Sequence, residues 1–478
     1  MENNLLSISP LDGRYSNKVD YLSQYFSEAA LMRYRILVEI EWFIFLFNDL
    51  KLKGTRPLKP TELRILRSIY EQFDVVNAQR VKDIEKTTNH DVKAIEYFVK
   101  EQLKGGSLEK YGEFVHFACT SEDINNLAYA CMIRDFLERD MVPMMSGLVQ
   151  EIYSQALDYG KLPMMARTHG QPATPTILGK EFINYVARLE KELEILLSYS
   201  CCIPAKMNGA VGNYNAHIVA YKDVDWISAS KKFIQTLGLA FNEYTTQIEP
   251  HDGLAGIFDS VKRINNIVLD FDRDMWTYIS MNYFGQKAVS GEVGSSTMPH
   301  KVNPIDFENS EGNVGIANAL LEHFSAKLQI SRMQRDLSDS TVLRNIGSAF
   351  SYSILAYKST IKGLSKCVVN KKVIQDDLKD RWELLAEPIQ VVMRKNLIKD
   401  SYEKLKKLTR GKGGITKTTI HGFIRSLKIP ASDKKALLAL TPEKYTGLAE
   451  KLVTSYKLKV VSMGCSPGGC AGCSGCGM

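Results

Sequence analysis

A loop that leads into a predicted helix carries the residue types of an acid–base site. Two adjacent hydroxyl side chains, Ser295 and Ser296, are followed by Lys301. Asn303 is a favourable N-cap and Pro304 fits the first helical position, so the loop is predicted to end at the positive end of a helix, where anions bind. From the spacing alone, an ordinary polar loop with a cap is the simpler interpretation.

Three further segments place hydroxyl, amide or imidazole groups where helices are predicted to start. Residues 88–91 and 120–123 have the spacing of a capping box, with the first residue of each as the N-cap. Residues 168–175 end in Thr-Pro, which predicts a cap followed by proline at the first helical position. His90 and His169 lie in these segments. Every helix needs a cap, but several helix N-termini that converge would bind a polyanion.

Arginines accompany hydroxyl side chains in two other segments. Residues 9–15 form a predicted turn that presents Arg14 and Tyr15, and residues 332–344 combine arginines with serines and a threonine. The guanidinium group binds phosphates and carboxylates in a bidentate manner. Surface arginines and a solvated helix end are the alternatives, and either segment alone would favour them.

Long helices are needed to carry these loops. Proline is absent from residues 61–142, 205–249, 251–298 and 305–387, as helix interiors require. Apolar residues recur every three or four positions over residues 178–196 and 254–279, whereas strand-like alternation is scarce. We therefore predict an all-α protein built on a central bundle of long helices.

The composition excludes several classes of protein. The 478 residues are 45% hydrophobic and 24% charged, as in soluble globular proteins and unlike disordered ones. The net charge of +7 is spread along the chain and does not form a basic arm. No apolar run approaches the roughly 18 residues of a membrane span, and the N-terminus has no signal-peptide pattern. A cytoplasmic location is therefore expected.

Changes in composition divide the chain into predicted parts. We predict an N-terminal helical domain over residues 1–110, a central long-helix domain over 111–365 and a C-terminal helical domain over 366–463. The last part is a flexible tail rich in glycine and cysteine, over residues 464–478. The positions of these domain boundaries are predicted separately from the all-α fold class.

The tail contains four of the nine cysteines: Cys465, Cys470, Cys473 and Cys476. Their spacing resembles iron–sulfur or zinc ligation, but no neighbouring hydrophobic residues would shield a cluster. We favour a low-complexity segment that binds no metal. The scattered remaining cysteines form no disulfide framework and indicate a reducing compartment.

Three segments resemble the conserved regions of the fumarase/aspartase superfamily: residues 120–126, 168–175 and 295–304. Three others narrow the resemblance to the bacterial adenylosuccinate lyases of the proteobacterial type: residues 12–15, 88–91 and 339–344. The resemblance extends from about residue 7 to about residue 457 and leaves out the tail. It implies a three-domain, fumarase/aspartase-like fold with a central long-helix bundle.

The resemblance also implies a reaction, a β-elimination that breaks a C–N bond. The family cleaves adenylosuccinate to AMP and fumarate, and the succinylo-carboxamide ribotide of purine biosynthesis to its carboxamide and fumarate. By this resemblance Ser295 is the base, His169 is the acid that protonates the leaving nitrogen, and Glu308 orients His169. Lys301, backbone N–H groups and exclusion of water are candidate aids to a serine base.

The other matched positions are implied substrate contacts. Those that suit the phosphate and nearby groups are Arg14, Tyr15, Arg335, Ser340 and Arg344. Those that suit the ribose, phosphate or base are Asn89, His90, Asp91 and Gln247. Those that suit the succinyl carboxylates are Thr120, Ser121, Ser296, Lys301, Asn303 and Asn309. Contacts with no assigned part of the substrate are Val302, Thr341, Val342 and Leu343. Neither a metal nor another cofactor is implied.

The family is a homotetramer in which each active site draws on three chains, and this chain is expected to assemble in the same way, without a nucleic-acid or membrane partner.

Three alternatives stay open. One is another lyase of the superfamily, such as argininosuccinate lyase. Another is a basic helical nucleic-acid-binding protein, which the lysine-rich residues 404–412 favour but the lack of interleaved aromatic residues does not. The last is a non-catalytic relative, against which the presence of Ser295, His169 and Lys301 argues.

Overall fold

A computed structural model describes residues 4–287, 291, 297–298, 300–409 and 415–459. Its N-terminal third consists of helices joined by short loops. The α-helices of this part are Ser16–Val19 (α1), Ser23–Phe26 (α2), Glu28–Asn48 (α3), Pro60–Glu71 (α4), Val75–Thr88 (α5), Asp91–Leu103 (α6) and Ser121–Phe136 (α7). Short 3₁₀ helices lie at Asn4–Leu6, Asp20–Leu22 and Glu109–Phe114.

The central part contains the longest helices. They are Val142–Asp158 (α8), Leu178–Ser200 (α9), Asn215–Ala220 (α10), Trp226–Thr236 (α11), Asp252–Ser280 (α12), Ile305–Leu328 (α13), Ser338–Leu343 (α14) and Ile346–Lys366 (α15). A π-helical turn, Leu137–Met141, joins α7 to α8 without a break. Helices α8, α9, α12, α13 and α15 pack against one another as a bundle, because their apolar residues face a common core.

Smaller helices form the C-terminal part. They are Lys371–Leu378 (α16), Ala386–Lys395 (α17), Ser401–Thr409 (α18), Lys417–Ser426 (α19), Ala431–Ala439 (α20) and Ala449–Ser455 (α21), with 3₁₀ helices at Trp382–Leu385 and Pro442–Lys444. In the described part of the chain, no helix combines the length and the apolar character that a membrane crossing requires.

Strands occur only as short pairs among the described residues. Pro163–Thr168 (β1) and Gln171–Ile177 (β2) are antiparallel, Pro204–Ala205 (β3) and Ala240–Phe241 (β4) are parallel, and Phe284–Gln286 (β5) and Cys367–Val369 (β6) are antiparallel. The predicted all-α class with a long-helix bundle is confirmed.

The main hydrophobic core runs through the N-terminal helices and the bundle. It extends from Val19 to Ile374, and the last helix, α21, returns to add Val453. A second core lies among the C-terminal helices between Trp382 and Leu437. The predicted domain boundaries near residues 110 and 365 stay predictions.

Candidate active site

The N-terminus of α7 is fixed by buried polar contacts. Thr120 caps the helix, and its backbone N–H donates to Asp123 Oδ2 over 2.8 Å in a reciprocal capping box. Asp123 also accepts hydrogen bonds from the backbone N–H groups of Asn208 and Gly209. The ammonium group of Lys206 lies 3.1 Å from Asp123 Oδ1, and both side chains are fully buried. The predicted capping box at residues 120–123 is confirmed.

Helix α3 holds the strained loop that precedes this cap. His116 and Ala118 have φ angles of 60° and 58°, which are costly for residues with a side chain. Glu39 accepts from the His116 backbone N–H over 3.0 Å and lies 2.6 Å from His116 Nδ1. Trp42 Nε1 donates to the Phe117 carbonyl over 3.1 Å. Burial lowers the pKa of His116, but the Glu39 carboxylate outweighs burial and the pKa is raised.

The N-terminus of α6 differs from the prediction. The N-cap is His90, whose Nδ1 accepts a hydrogen bond from the Lys93 backbone N–H over 3.2 Å. Asn89 adopts a left-handed conformation with φ 49° and ends α5, so Thr88 belongs to the preceding helix. The prediction of Thr88 as the cap is therefore wrong. An imidazole nitrogen replaces the hydroxyl oxygen that the capping box would supply.

Asp91, in the first turn of α6, joins two arginines that are distant in the sequence. Its Oδ2 lies 2.9 Å from an amino group of Arg35 and 3.2 Å from one of Arg344. Arg35 Nε donates in addition to Asn125 Oδ1 over 2.9 Å. Burial raises the pKa of Asp91, but the guanidinium groups outweigh burial and leave the pKa below its usual value. The carboxylate is therefore ionised at neutral pH.

Arg335 extends these contacts to a second helix and a loop. One amino group donates to Gln247 Oε1 over 3.1 Å, and the other lies 3.2 Å from Glu122 Oε1. Asn125 Nδ2 donates to the same Glu122 oxygen over 2.7 Å. Burial raises the pKa of Glu122 more than Arg335 and Asn125 lower it. We call this set the Arg335 network: Arg35, Asp91, Glu122, Asn125, Gln247, Arg335 and Arg344. Four predicted substrate contacts thus lie together.

Helix α14 places hydroxyl groups in the segment between Arg335 and Arg344. The Ser340 backbone N–H is held by Asp339 Oδ1 over 2.7 Å. The Leu343 side chain lies in the hydrophobic core. The Thr341 side chain is exposed.

The segment with His169 is a β-hairpin and not a helix start. His169 and Gly170 have φ angles of 54° and 73°, as expected for the two-residue turn of a hairpin. The prediction that Thr174 caps a helix is wrong, because β2 continues to Ile177 and α9 begins at Leu178. The prolines of β2 lack an N–H, which a strand at a sheet edge tolerates.

Contacts with the C-terminal part hold the strands of this hairpin. Arg167 lies 2.7 Å from Asp377 Oδ2 on α16, and the Thr174 hydroxyl donates to Glu387 on α17. His169 is exposed and has no hydrogen-bond partner among the residues that the structure describes. The strands of the hairpin are therefore held by the C-terminal helices, while the imidazole at its tip is exposed to solvent.

The start of α13 differs from the prediction by one residue. The helix begins at Ile305 with Pro304 as its N-cap, so the prediction of Asn303 as the cap is wrong. Pro304 has φ −77° but ψ 46°, which leaves it outside the helical conformation. The Lys301 backbone N–H donates to the Met298 carbonyl over 3.0 Å in the preceding turn.

Glu308 and Asn309, in the next turns of α13, have different surroundings. Trp276 Nε1 donates to Glu308 Oε1 over 3.1 Å, and the glutamate is exposed. Asn309 Nδ2 donates to the Tyr15 hydroxyl over 3.2 Å and its Oδ1 accepts from Ser359 over 2.8 Å. Two predicted site residues, Tyr15 and Asn309, are thus in direct contact.

The predicted site residues differ in exposure. Exposed side chains are Arg14, Asn89, His90, His169, Lys301, Val302, Glu308, Thr341 and Arg344. Half-buried side chains are Tyr15, Asp91, Thr120, Ser121, Gln247, Asn303, Asn309, Arg335, Ser340 and Val342. Ser295 and Ser296 lie outside the described residues.

Comparisons with known proteins agree along the chain. A family model described as lyase matches residues 13–317, and one described as adenylosuccinate lyase C-terminal matches residues 331–446. An adenylosuccinate lyase of Legionella pneumophila (strain Corby) is 52% identical over 453 residues, which cover 95% of this chain and 99% of the relative. The chain belongs to the adenylosuccinate lyase family. An adenylosuccinate lyase of Escherichia coli (strain K12) is 49% identical over 454 residues, with the same coverage.

Solved structures of other proteins share the fold. A 3-carboxy-cis,cis-muconate lactonizing enzyme from Pseudomonas putida has a TM-score of 0.70 at 17% identity and covers 91% of this chain, which covers 95% of it. A fumarate lyase from Mesorhizobium sp. BNC1 has a TM-score of 0.72 at 13% identity, with coverages of 91% and 96%. The chain therefore has the fumarase/aspartase-like fold, and as an adenylosuccinate lyase family member it is an enzyme.

Within one chain, the predicted site residues His169 and Thr120 lie far apart. Helix α7, the π-helical turn and α8 have 16, 5 and 17 residues and form one continuous helix. At about 1.5 Å per residue this helix is about 57 Å long. Thr120 caps its beginning, whereas the His169 hairpin follows its end. Strands as short as β1 and β2 span about 20 Å, so His169 does not reach Thr120 within one chain.

Sequence reasoning missed several residues of the site. Arg35 and Glu122 belong to the Arg335 network, and Trp276 holds Glu308. A signal for Arg35 was present, because Arg35 and Glu39 interrupt an apolar run that a buried helix requires. Buried charges need partners, and the partners of these two are Asp91, the first residue of α6, and His116, in the loop before α7.

Proposed function

We propose that this chain cleaves adenylosuccinate to AMP and fumarate, and cleaves the succinylo-carboxamide ribotide to its carboxamide and fumarate. The Arg335 network is the observation that carries this proposal. Its guanidinium groups, with the hydroxyl groups of α14 beside them, suit a phosphorylated nucleotide. A superfamily substrate that carries no phosphate, such as argininosuccinate, offers these guanidinium and hydroxyl groups no phosphate to bind.

The proposed chemistry uses Ser295 and His169. Ser295 removes a proton from the carbon next to a carboxylate, and the electron pair left behind forms the double bond of fumarate as the C–N bond breaks. His169 gives its proton to the departing nitrogen, so one proton is taken and one is supplied. An imidazole suits this step because its pKa is ordinarily close to neutral pH. Lys301 stabilises the charge that develops on the carboxylate.

Glu308 is proposed to orient the imidazole. Its Oε1 accepts from Trp276, and its Oε2 has no hydrogen-bond partner among the described residues. One carboxylate oxygen is thus held by the chain itself while the other is available to a histidine. The two residues are proposed to belong to different chains.

We also propose a homotetramer in which three chains complete each site. The continuous helix of about 57 Å that lies between Thr120 and the segment leading to the His169 hairpin supports this assembly. Large apolar side chains exposed on the central helices, Trp276, Ile305 and Ile316, support it further, because association would bury them. A cytoplasmic location stays a prediction.

Fumarate release from adenylosuccinate by the purified protein tests the reaction, with argininosuccinate as the control substrate. We expect turnover of the first and none of the second. Ser295→Ala should abolish turnover while adenylosuccinate still binds. Turnover of argininosuccinate, or near-normal activity of Ser295→Ala, would overturn the proposed substrate or the proposed base.

Mixing two inactive variants tests the shared site. Ser295→Ala and His169→Gln are each expected to be inactive, but subunits exchanged between them should form some sites that have both wild-type residues. Activity that reappears on mixing, at a mass four times that of one chain, is the expected result. A fully active monomer would contradict the assembly.

A further inference from the structure

Two buried titratable side chains follow Gln247 in the sequence, at two and four residues' distance. Gln247 belongs to the loop between β4 and α12, and Glu249 and His251 are each 2% exposed. Neither is among the residues proposed above to contact substrate or move protons. Carboxylates and imidazoles are seldom buried this completely without a role in holding structure or in function.

Glu249 holds the two ends of this loop together. Its Oε1 accepts from Asn242 Nδ2 over 2.9 Å, next to β4, and its Oε2 accepts from the His251 backbone N–H over 2.7 Å, at the start of α12. His251 has a φ of 64°, which is strained for a residue with a side chain. The hydrogen bond to its N–H offsets part of this strain, so the carboxylate fixes the turn into α12.

Gln247 lies between the two ends that Glu249 holds. Its backbone N–H donates to the Gln334 carbonyl over 3.3 Å, and its Nε2 donates to the Ala210 carbonyl over 2.9 Å. Its Oε1 accepts from Arg335 over 3.1 Å. A shift of the loop would therefore break contacts on both faces of Gln247 and detach it from the Arg335 network.

We propose that Glu249 is a positioning residue that holds Gln247 against Arg335 and so sets the affinity for the nucleotide end of the substrate. This inference rests on the proposed function, because it takes Gln247 as a substrate contact. It assigns no proton transfer to Glu249. The step of C–N cleavage should therefore proceed at an unchanged rate once substrate is bound.

The surroundings of Glu249 make this effect depend on pH. Burial raises the pKa of Glu249 to about 7, more than the hydrogen bonds from Asn242 and the His251 backbone lower it, and Asp252 on α12 adds to the rise. Burial lowers the pKa of His251 to about 4, so the facing imidazole is neutral. No lysine or arginine of the described residues pairs with Glu249. Protonation of Glu249 below about pH 7 weakens the two hydrogen bonds and loosens the loop.

The test compares Glu249→Gln with Glu243→Gln, an exposed glutamate of the same loop, by adenylosuccinate turnover between pH 6 and pH 8. We expect Glu249→Gln to raise KM about tenfold at pH 8 with kcat within about twofold, the loss expected for a hydrogen bond to a charged group. In the wild type and Glu243→Gln, KM should rise as the pH falls below 7. In Glu249→Gln it should not.

An unchanged KM in Glu249→Gln, or a loss confined to kcat, would overturn the inference. Another variant replaces Glu249→Gln as the test if it fails to fold in a melting experiment. Asn242→Ala then removes the side-chain donor to Glu249 Oε1 and should raise KM several-fold. An unchanged KM in Asn242→Ala would then overturn it. Lack of turnover by the wild type would instead contradict the proposed function, so the two failures are distinguishable.

Discussion

The Arg335 network consists, apart from the exposed Arg344, of buried and half-buried side chains that already hold one another, whereas His169 and Glu308, the described residues proposed to act in the acid–base chemistry, are exposed. Glu122, Arg335 and Gln247 touch within a single chain. Among the described residues, neither His169 at the hairpin tip nor Glu308 Oε2 has a hydrogen-bond partner. The part that would bind the nucleotide is preorganised in one chain, and the part that would perform acid–base chemistry is not.

This difference indicates how the two parts can fail. A change in the Arg335 network disturbs buried charges, so it should affect both folding and affinity. A change at the hairpin tip removes a group to which none of the described residues makes a hydrogen bond, so it should affect only the reaction.

The largest effect is expected at the hairpin tip. His169→Gln should lower kcat by about 10²–10⁴-fold, because it removes the proposed acid, while the melting temperature stays at the wild-type value. Steady-state kinetics and thermal melting measure the two quantities. A change in KM alone would make His169 a binding residue, and a large fall in melting temperature would show that the tip is not independent of the fold.

A substitution in the Arg335 network is expected to affect turnover less than the His169 substitution does, but to lower the free energy of unfolding more. Arg335→Ala should raise KM by about 100-fold and lower the free energy of unfolding by about 3 kcal/mol, because Glu122 loses its ion-pair partner. Arg332→Ala is the matched control, since the Arg332 side chain is 84% exposed. If the two variants had equal effects on KM and on denaturant unfolding, the proposal that the side chains of the Arg335 network hold one another in place would be refuted.

Asp272 on α12 tests whether buried polar contacts hold α13, the helix that carries Glu308 and Asn309, to its neighbouring helices. The side chain is 1% exposed and accepts from Thr360 over 2.8 Å, and Thr360 contacts Ser310, the neighbour of Asn309, over 2.9 Å. Burial raises the pKa of Asp272 well above its usual value, against smaller opposing effects of the two hydroxyl groups. The folded protein therefore favours the neutral acid.

The sign of the pH dependence follows from this raised pKa. Asp272 supports folding fully below its unfolded pKa of about 4, and this support is lost as the pH rises toward the folded pKa, at about 1.4 kcal/mol per pH unit. Asp272→Asn stays neutral and lacks this loss. Its melting temperature relative to the wild type should therefore increase from pH 5 to pH 8. A constant difference would mean that Asp272 is ionised in the folded protein.

The sequence predicted those features that depend on near neighbours. Apolar spacing predicted the long helices, and the Thr120 box was found because its partner, Asp123, is three residues away. The prediction failed at Thr174, in a Thr-Pro pair that resembles a helix start, because Pro175 pairs with Met165 of β1, ten residues earlier. It failed at Thr88 because His90, seldom an N-cap, supplies the acceptor.

The assembly of the site depended on distant contacts that spacing does not encode. Residues of the Arg335 network come from α3, α6, α7, the loop before α12 and the segments flanking α14. Resemblance to a family selected four of them as substrate contacts. Arg35, Glu122 and Asn125 were not selected, because only the fold shows that they connect the others.

The smallest effect is expected at the cap of α7. Thr120→Ala removes the hydroxyl that accepts from the backbone of the first turn, so the free energy of unfolding should fall by about 1 kcal/mol. Thr120→Ser keeps this acceptor and should unfold like the wild type in denaturant titrations. If the two variants lose equal stability, the methyl group and not the hydroxyl matters. The buried pair of Asp123 and Lys206 would then hold the start of α7 without help from the cap.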